Sequence, residues 1–310
     1  MTGWWWLVFG ALVVLLLALD LLVFHRHAHR ESTRQAAVWS VVWVGLGLAF
    51  ALFVGLVRGS DAALAYLTAY LIEKSLSVDN LFVFAALFSY FSVAPENHHR
   101  VLFWGILGAI VTRGIFIFAG VALISHFHWV IYVLGVLLVA TGARLGLSGG
   151  EQVHPERNLV VRWASRVLPM VKSYHGERFT VKTESGRRFT PLLLVLLAIE
   201  STDVMFAVDS VPAVLAVSRD AFVIYSSNIF AILGLRALYF VLAGALRSLR
   251  MLRPALAIIL VLVGVKMLLA DAFEIPTAAS LVVVAVILTV ATAGSLLLPD
   301  PKKRKAATEG

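Results

Sequence analysis

Two stretches place carboxylates inside apolar runs: IEKSLSVDN at 72–80 and IESTDVMFAVDS at 199–210. They hold Glu73, Asp79, Glu200, Asp203 and Asp209, five of the chain's 18 acids. An Asp at the centre of a membrane helix costs roughly 2.5–3.5 kcal/mol, so residues of this kind in such places need a use. Glu200 and Asp203 are three apart and share one helix face. Glu73 and Asp79 stand about 120° apart on an ideal helix and converge only if the helix breaks or a partner helix contributes. With Asn80, Ser77, Ser201, Thr202, Ser210 and backbone carbonyls, the acids form an all-oxygen set that suits Mg²⁺, Ca²⁺ or Mn²⁺ rather than zinc or copper. Two other uses fit the same residues: buried ion pairs with Lys74, Arg113, Arg236 and Lys266, or a proton relay without metal. Arg113 and Arg236 lie halfway along apolar runs, where a guanidinium must pair. They are expected to hold acids in place or to replace the cation. Asn228 in YSSNIF is a further oxygen ligand or a helix–helix hydrogen bond.

The elements that carry these residues follow from composition. The chain has 310 residues, 60% hydrophobic and 14% charged, against roughly 25% charged for a soluble domain. This points to an all-α polytopic membrane protein. A ~30 Å hydrocarbon core takes about 20 helical residues, and nine apolar runs are read near 4–24, 37–57, 61–91, 101–125, 129–147, 190–217, 222–243, 254–270 and 277–298. Helix is the spanning form because an unpaired amide finds no water in lipid. The run 61–91 would extend about 46 Å, so it must tilt strongly or break near Leu76–Asn80. Pro212, after Asp209, removes a donor from the other acid-bearing helix.

An internal repeat organises the runs. Glu73 and Asp79 match Asp203 and Asp209 in spacing, Arg113 in TRGIFIFAGVAL matches Arg236 in LRALYFVLAGAL, and Arg144 matches Lys266. Each unit has three spans, so the second enters the membrane inverted, giving the 3+3 inverted repeat of many secondary transporters. The expected organisation is two N-terminal helices at 1–60, a first repeat unit at 61–147, a cytoplasmic loop at 148–189, a second unit at 190–270, and a last helix with a basic tail at 271–310.

The net charge of +8 lies in the connections. Arg26, Arg30 and Arg34, the bases of 157–188, Arg247, Arg250 and Arg253, and KKRK at 302–305 fall between or after spans. The positive-inside rule then sets the N-terminus outside and the C-terminus in the cytoplasm. The basic tail is a stop-transfer or lipid-facing segment rather than a nucleic-acid patch, so the expected surroundings are the lipid bilayer and a divalent metal ion. MTGWWW opens an uncleaved first span with its tryptophans in the interfacial belt. The absence of cysteine excludes thiol chemistry, disulfides and Cys-ligated metals. The clusters His25, His27, His29 and His126, His128 read as solvated loop residues, and Asp20 as an interfacial pair with the basic edge. In the loop, RFTVKTESGRRFT reads as a short β-hairpin turning at Glu184-Ser185-Gly186 within a solvated linker. Neither GxGD nor HExxH occurs, so no catalytic residues are assigned and the chain is not expected to be an enzyme.

EKSLSVDNLFVF, IESTDVMFAVDSVPAVLAVS and YSSNIFAILGLRALYF strongly resemble the signatures of the TerC family, membrane proteins first named for tellurium resistance. The resemblance implies a bacterial inner-membrane protein of the LysE-like transporter superfamily that exports Mn²⁺, with Mn²⁺ as transported substrate and no organic cofactor. The family's acidic motif positions fall on Glu73, Asp79, Asn80, Glu200, Asp203 and Asp209, with Lys74, Arg113, Arg236 and Asn228 as supporting partners. Carboxylates bind metal only when ionised, which makes proton exchange a natural coupling. The family also leaves open a scaffold with membrane-protein partners in tellurite or stress resistance or membrane-protein assembly, and the acids themselves leave open transport of Ca²⁺, protons or an organic solute.

Overall fold

Apolar side chains dominate every long segment, and each of the nine apolar runs is helical in the computed structural model, which describes residues 4–25, 33–147, 158–184, 186–243, 251–273 and 275–297. The helices are α1 (Trp4–His25), α2 (Thr33–Arg58), α3 (Ser60–Tyr90), α4 (Pro95–His126) and α5 (Val130–Leu147), then α6 (Leu159–Val167). After strands β1 (Thr180–Thr183) and β2 (Gly186–Phe189) come α7 (Pro191–Leu215), α8 (Ala221–Ile232), α9 (Leu235–Ala243), α10 (Leu252–Leu268) and α11 (Thr277–Leu297). Among the described residues, seven helical stretches are long and apolar enough to cross a membrane, one of them running through α8 and α9. Not among them are α3, which carries Asp61, Glu73, Lys74 and Asp79, and α10, which has 17 residues. Arg26, Arg30, His27, His29, Arg157, Ser185, Arg247, Arg250 and the tail at 302–305 lie outside the described residues.

Local chemistry sets several helix starts. Pro95 and Pro191 occupy the first turns of α4 and α7, where the missing N–H costs nothing. Asp220 caps α8, its Oδ1 accepting from Phe222 N at 2.9 Å, while its Oδ2 meets Arg58 at 2.6 Å. The tight link from α2 to α3 uses Gly59 at φ +91°.

Of the two expectations for 61–91, a strong tilt or a break, the break does not occur: α3 runs unbroken for 31 residues, and α7 continues through Pro212. Because α3 is regular, Glu73 and Asp79 stay on different faces. A break falls instead in the run 222–243, between α8 and α9, where Gly234 has φ +83°. That conformation suits glycine, and a Cβ there would run into Trp43. Carbonyls freed at a helix end need partners. Lys74 Nζ, reaching across from α3, donates to Ala231 O at 3.1 Å.

Close backbone approach joins α5 to α10. A Cβ on Gly142 would lie 2.8 Å from Ala257 O, and a Cβ on Gly264 would lie 2.8 Å from Gly135 O. The shift along the chain that carries Gly142 to Gly264 also carries Gly135 to Ala257. In the same way α3 packs on α8 while α7 packs on α4.

The hairpin stands where expected, with Thr180 opposite Phe189 and Thr183 opposite Gly186. It is more than a solvated linker. Phe189 pairs through its backbone with Pro169 O and Val171 N, each at 2.9 Å, Arg100 stacks over Phe179, and the Tyr174 hydroxyl donates to Phe91 O at 2.6 Å. The segment is thereby fastened over the link between α3 and α4.

Candidate functional site

The buried charges meet at Arg113. Its guanidinium, 1% exposed, comes from the middle of α4 and touches three other helices. Nη1 pairs with the Glu73 carboxylate of α3, fully buried, and also reaches Ser210 Oγ of α7 at 3.0 Å and Asn228 Oδ1 of α8 at 3.2 Å. Nη2 meets Asp203 Oδ1 of α7 at 3.4 Å, and Thr112 Oγ1 lies 3.5 Å from Asp203 Oδ2. One cation thus sits inside an oxygen set drawn from both halves of the chain. Glu73 Oε2 is buried and accepts no hydrogen bond among the described residues, which leaves a costly open acceptor.

Of the six expected metal ligands, Glu73 and Asp203 converge on this point. Glu200 lies toward α4, its carboxylate filling the space over Gly108 so closely that a Cβ there would overlap it. Asp209 faces α5 and accepts from Thr141 Oγ1 at 3.1 Å. Asp79 and Asn80 lie further along α3, Asn80 buried and Asp79 half-buried. Among the described residues, no three His, Asp or Glu side chains gather as a ready metal cage. Asn228 joins the cluster as an acceptor for Arg113.

The remaining supporting charges divide differently from the sequence expectation. Arg236 pairs with Asp20 of α1: Nη2 lies 3.1 Å from Asp20 Oδ2 and donates to Asp20 O at 2.8 Å. Both side chains are buried, so Asp20 is not an interfacial partner of the basic edge. Lys74 serves the α8 end and Lys266 donates to Ser280 Oγ at 2.8 Å. Thr112, Thr141 and Gly108 were missed, since lone threonines and glycines in apolar helices are common. A cavity of about 550 Å³ opens away from this cluster, beside Leu215, Arg219, Lys266 and Phe273.

These features define an integral membrane protein of many apolar helices around a buried ionic centre. Residues 58–305 match the model of the integral membrane protein TerC family, and the chain belongs to that family. It is 48% identical to Alx of Salmonella typhi, described as a candidate membrane-bound redox modulator, over 92% of this chain and 91% of that protein. Alx of Escherichia coli K12, with the same description, is 47% identical over 90% of each chain. The uncharacterized membrane protein STKORF319 of Myxococcus xanthus is 45% identical over 98% of this chain and 94% of that one. No solved structure matches.

Proposed function

We propose that the protein is a divalent-cation transporter of the bacterial inner membrane whose cargo is Mn²⁺, exported in exchange for protons, and that it performs no chemistry on that cargo. The observation that carries this reading is Arg113 held among Glu73, Asp203, Ser210 and Asn228. A guanidinium at the meeting point of hard oxygen donors from α3, α7 and α8 is an internal stand-in for a cation, and its withdrawal would free carboxylates suited to Mn²⁺. The open Glu73 Oε2 is a ligand position in waiting. Protons bind the same carboxylates that release metal, which links the two fluxes.

Nine spans, with the N-terminus outside and the C-terminus in the cytoplasm, complete the reading. The matched glycine contacts of α5 and α10, and the paired packing of α3 on α8 and α7 on α4, support an inverted repeat able to alternate access. The redox description of the Alx relatives would need a route without thiols here, because the chain has no cysteine. Cellular manganese is the test: overexpression should lower it under manganese load, and Glu73→Gln or Asp203→Asn should abolish the effect. Equal lowering by the variants, at equal membrane abundance, would remove the transport role from these acids.

A further inference from the structure

We infer that the cavity between α1, α4 and α9 binds the phosphate of an anionic phospholipid headgroup. It holds about 190 Å³ and is lined by Leu21 of α1, His99, Arg100, Phe103 and Trp104 of α4, and Arg236 of α9. Two guanidinium groups and an imidazole thus face one small space whose remaining wall is apolar or aromatic, and among the described residues no acid lines it. Two acids touch these bases from outside the lining. Asp20 holds Arg236 Nη2 at 3.1 Å. Glu177, from the segment before β1, lies 3.6 Å from both Arg100 Nη1 and His99 Nε2, too far for a hydrogen bond to either. Arg100 Nε is buried and meets no acceptor among the described residues, a costly position for an ionised donor. Phosphate oxygens, which accept charge-assisted bonds at about 2.7–2.9 Å, would satisfy it.

Helix geometry places this cavity at the depth of lipid headgroups. Exposed tryptophans mark both ends of the apolar part of α4: Trp104, 47% exposed, and Trp129, 61% exposed, just beyond the last helical residue His126. From Trp104 to His126 the helix rises about 33 Å, close to the ~30 Å of a hydrocarbon core, and tryptophans so separated sit in the two interfacial belts. Helix α1 runs the opposite way and agrees. Trp6 packs on Phe118 with ring centroids 5.3 Å apart, and Leu21 and Phe103, each fifteen residues from that contact, line the cavity together. Arg100 and His99 therefore stand about one turn outside the Trp104 belt, at phosphate depth, while Arg236 reaches the belt beside Asp20, the neighbour of Leu21. A phosphodiester from the adjoining leaflet can enter between them, with Phe103 and Trp104 against its glycerol and first acyl carbons. Basic pockets between membrane helices select anionic headgroups, because the same cations repel choline. A free phosphate ion offers the same oxygens but nothing for the aromatic wall.

Native mass spectrometry of the full-length protein, released from detergent after titration with phosphatidylglycerol or phosphatidylcholine, counts the bound lipids and tests this. The first phosphatidylglycerol should bind about tenfold more tightly than phosphatidylcholine, the worth of one charge-assisted contact. Arg100→Gln should erase that preference; the side chain is partly exposed, so the variant should keep its unfolding midpoint. Glu177→Gln gives an independent arm: it removes the anion that competes for Arg100 and His99, and should tighten phosphatidylglycerol binding. Inorganic phosphate should displace the lipid only in large excess. Equal affinity for the two lipids, or an unchanged preference in Arg100→Gln, would overturn the proposal. Displacement by equimolar phosphate would overturn the lipid as the source of the phosphate.

Discussion

Arg113 of α4 and Glu73 of α3 form an ion pair from which water is excluded, the guanidinium 1% and the carboxylate 0% exposed. Removing one partner strands the other charge, at a cost of about 3–5 kcal/mol. Arg113→Gln should therefore lower the unfolding midpoint strongly, and adding Glu73→Gln should recover part of the loss. Thermal unfolding of the purified single and double variants measures this coupling. Additive losses would show that the pair does not hold the helices together.

Glu200 and Gly108 make a steric test. A methyl at 108 would overlap the Glu200 carboxylate, so Gly108→Ala should push that carboxylate aside, lowering manganese flux in the wild-type background and offsetting the stability that alanine adds to a helix. With Glu200→Ala the same change should stabilise by roughly 0.5–1 kcal/mol, because the carboxylate no longer fills that space. A thermal-shift cycle over the four proteins distinguishes this from an ordinary helix glycine, where alanine would stabilise by roughly 0.5–1 kcal/mol.

The α8–α9 break predicts two independent losses. Gly234→Ala places a side chain at φ +83°, for about 1–2 kcal/mol, with further cost from Trp43. Lys74→Met leaves the Ala231 carbonyl without its donor, for about 1–3 kcal/mol. Denaturant unfolding in detergent measures both.

Helix positions were readable because long apolar runs have one satisfactory backbone form in lipid, and the paired acids of 73–79 and 203–209 were readable from spacing. Arg113 was legible as a partner because a mid-helix guanidinium must pair. What escaped was decided by tertiary contact. Length argued for a tilt or a break in α3, but the helix stays regular, with Glu73 paired to Arg113 of α4 and Lys74 donating to a carbonyl of α8. Gly234 breaks a helix while Gly108 does not, and LGLR looks no different from LGAI until Trp43 and Lys74 are placed. Arg236 has the spacing of Arg113 yet pairs with Asp20 of α1, a helix that spacing alone does not bring to it. Helix α6 was hidden in a charged linker, because two arginines in nine residues dilute its apolar positions.

Asp271, in the connection between α10 and α11, supplies a pH dependence. The Tyr132 hydroxyl donates to it and His128 Nε2 lies 2.9 Å away; the Tyr132 hydrogen bond first, then His128, holds its carboxyl below the ordinary value. Because the folded value is the lower one, the contribution to stability is present above the unfolded value of about 3.9. It is lost as pH falls through the folded value. Asp271→Asn should lower the unfolding midpoint at neutral pH, with the gap closing on acidification below the usual carboxylate range. A gap independent of pH would contradict the assignment.

Mn²⁺ binding to the purified full-length protein tests the central claim most directly, read as loss of the free hexaaqua Mn²⁺ electron paramagnetic resonance signal. The wild type should bind Mn²⁺ in a saturable manner, more tightly as pH rises and the carboxylates ionise, and Glu73→Gln and Asp203→Asn should weaken binding at least tenfold. Equal binding by all three proteins would contradict a cation site at Arg113, Glu73 and Asp203.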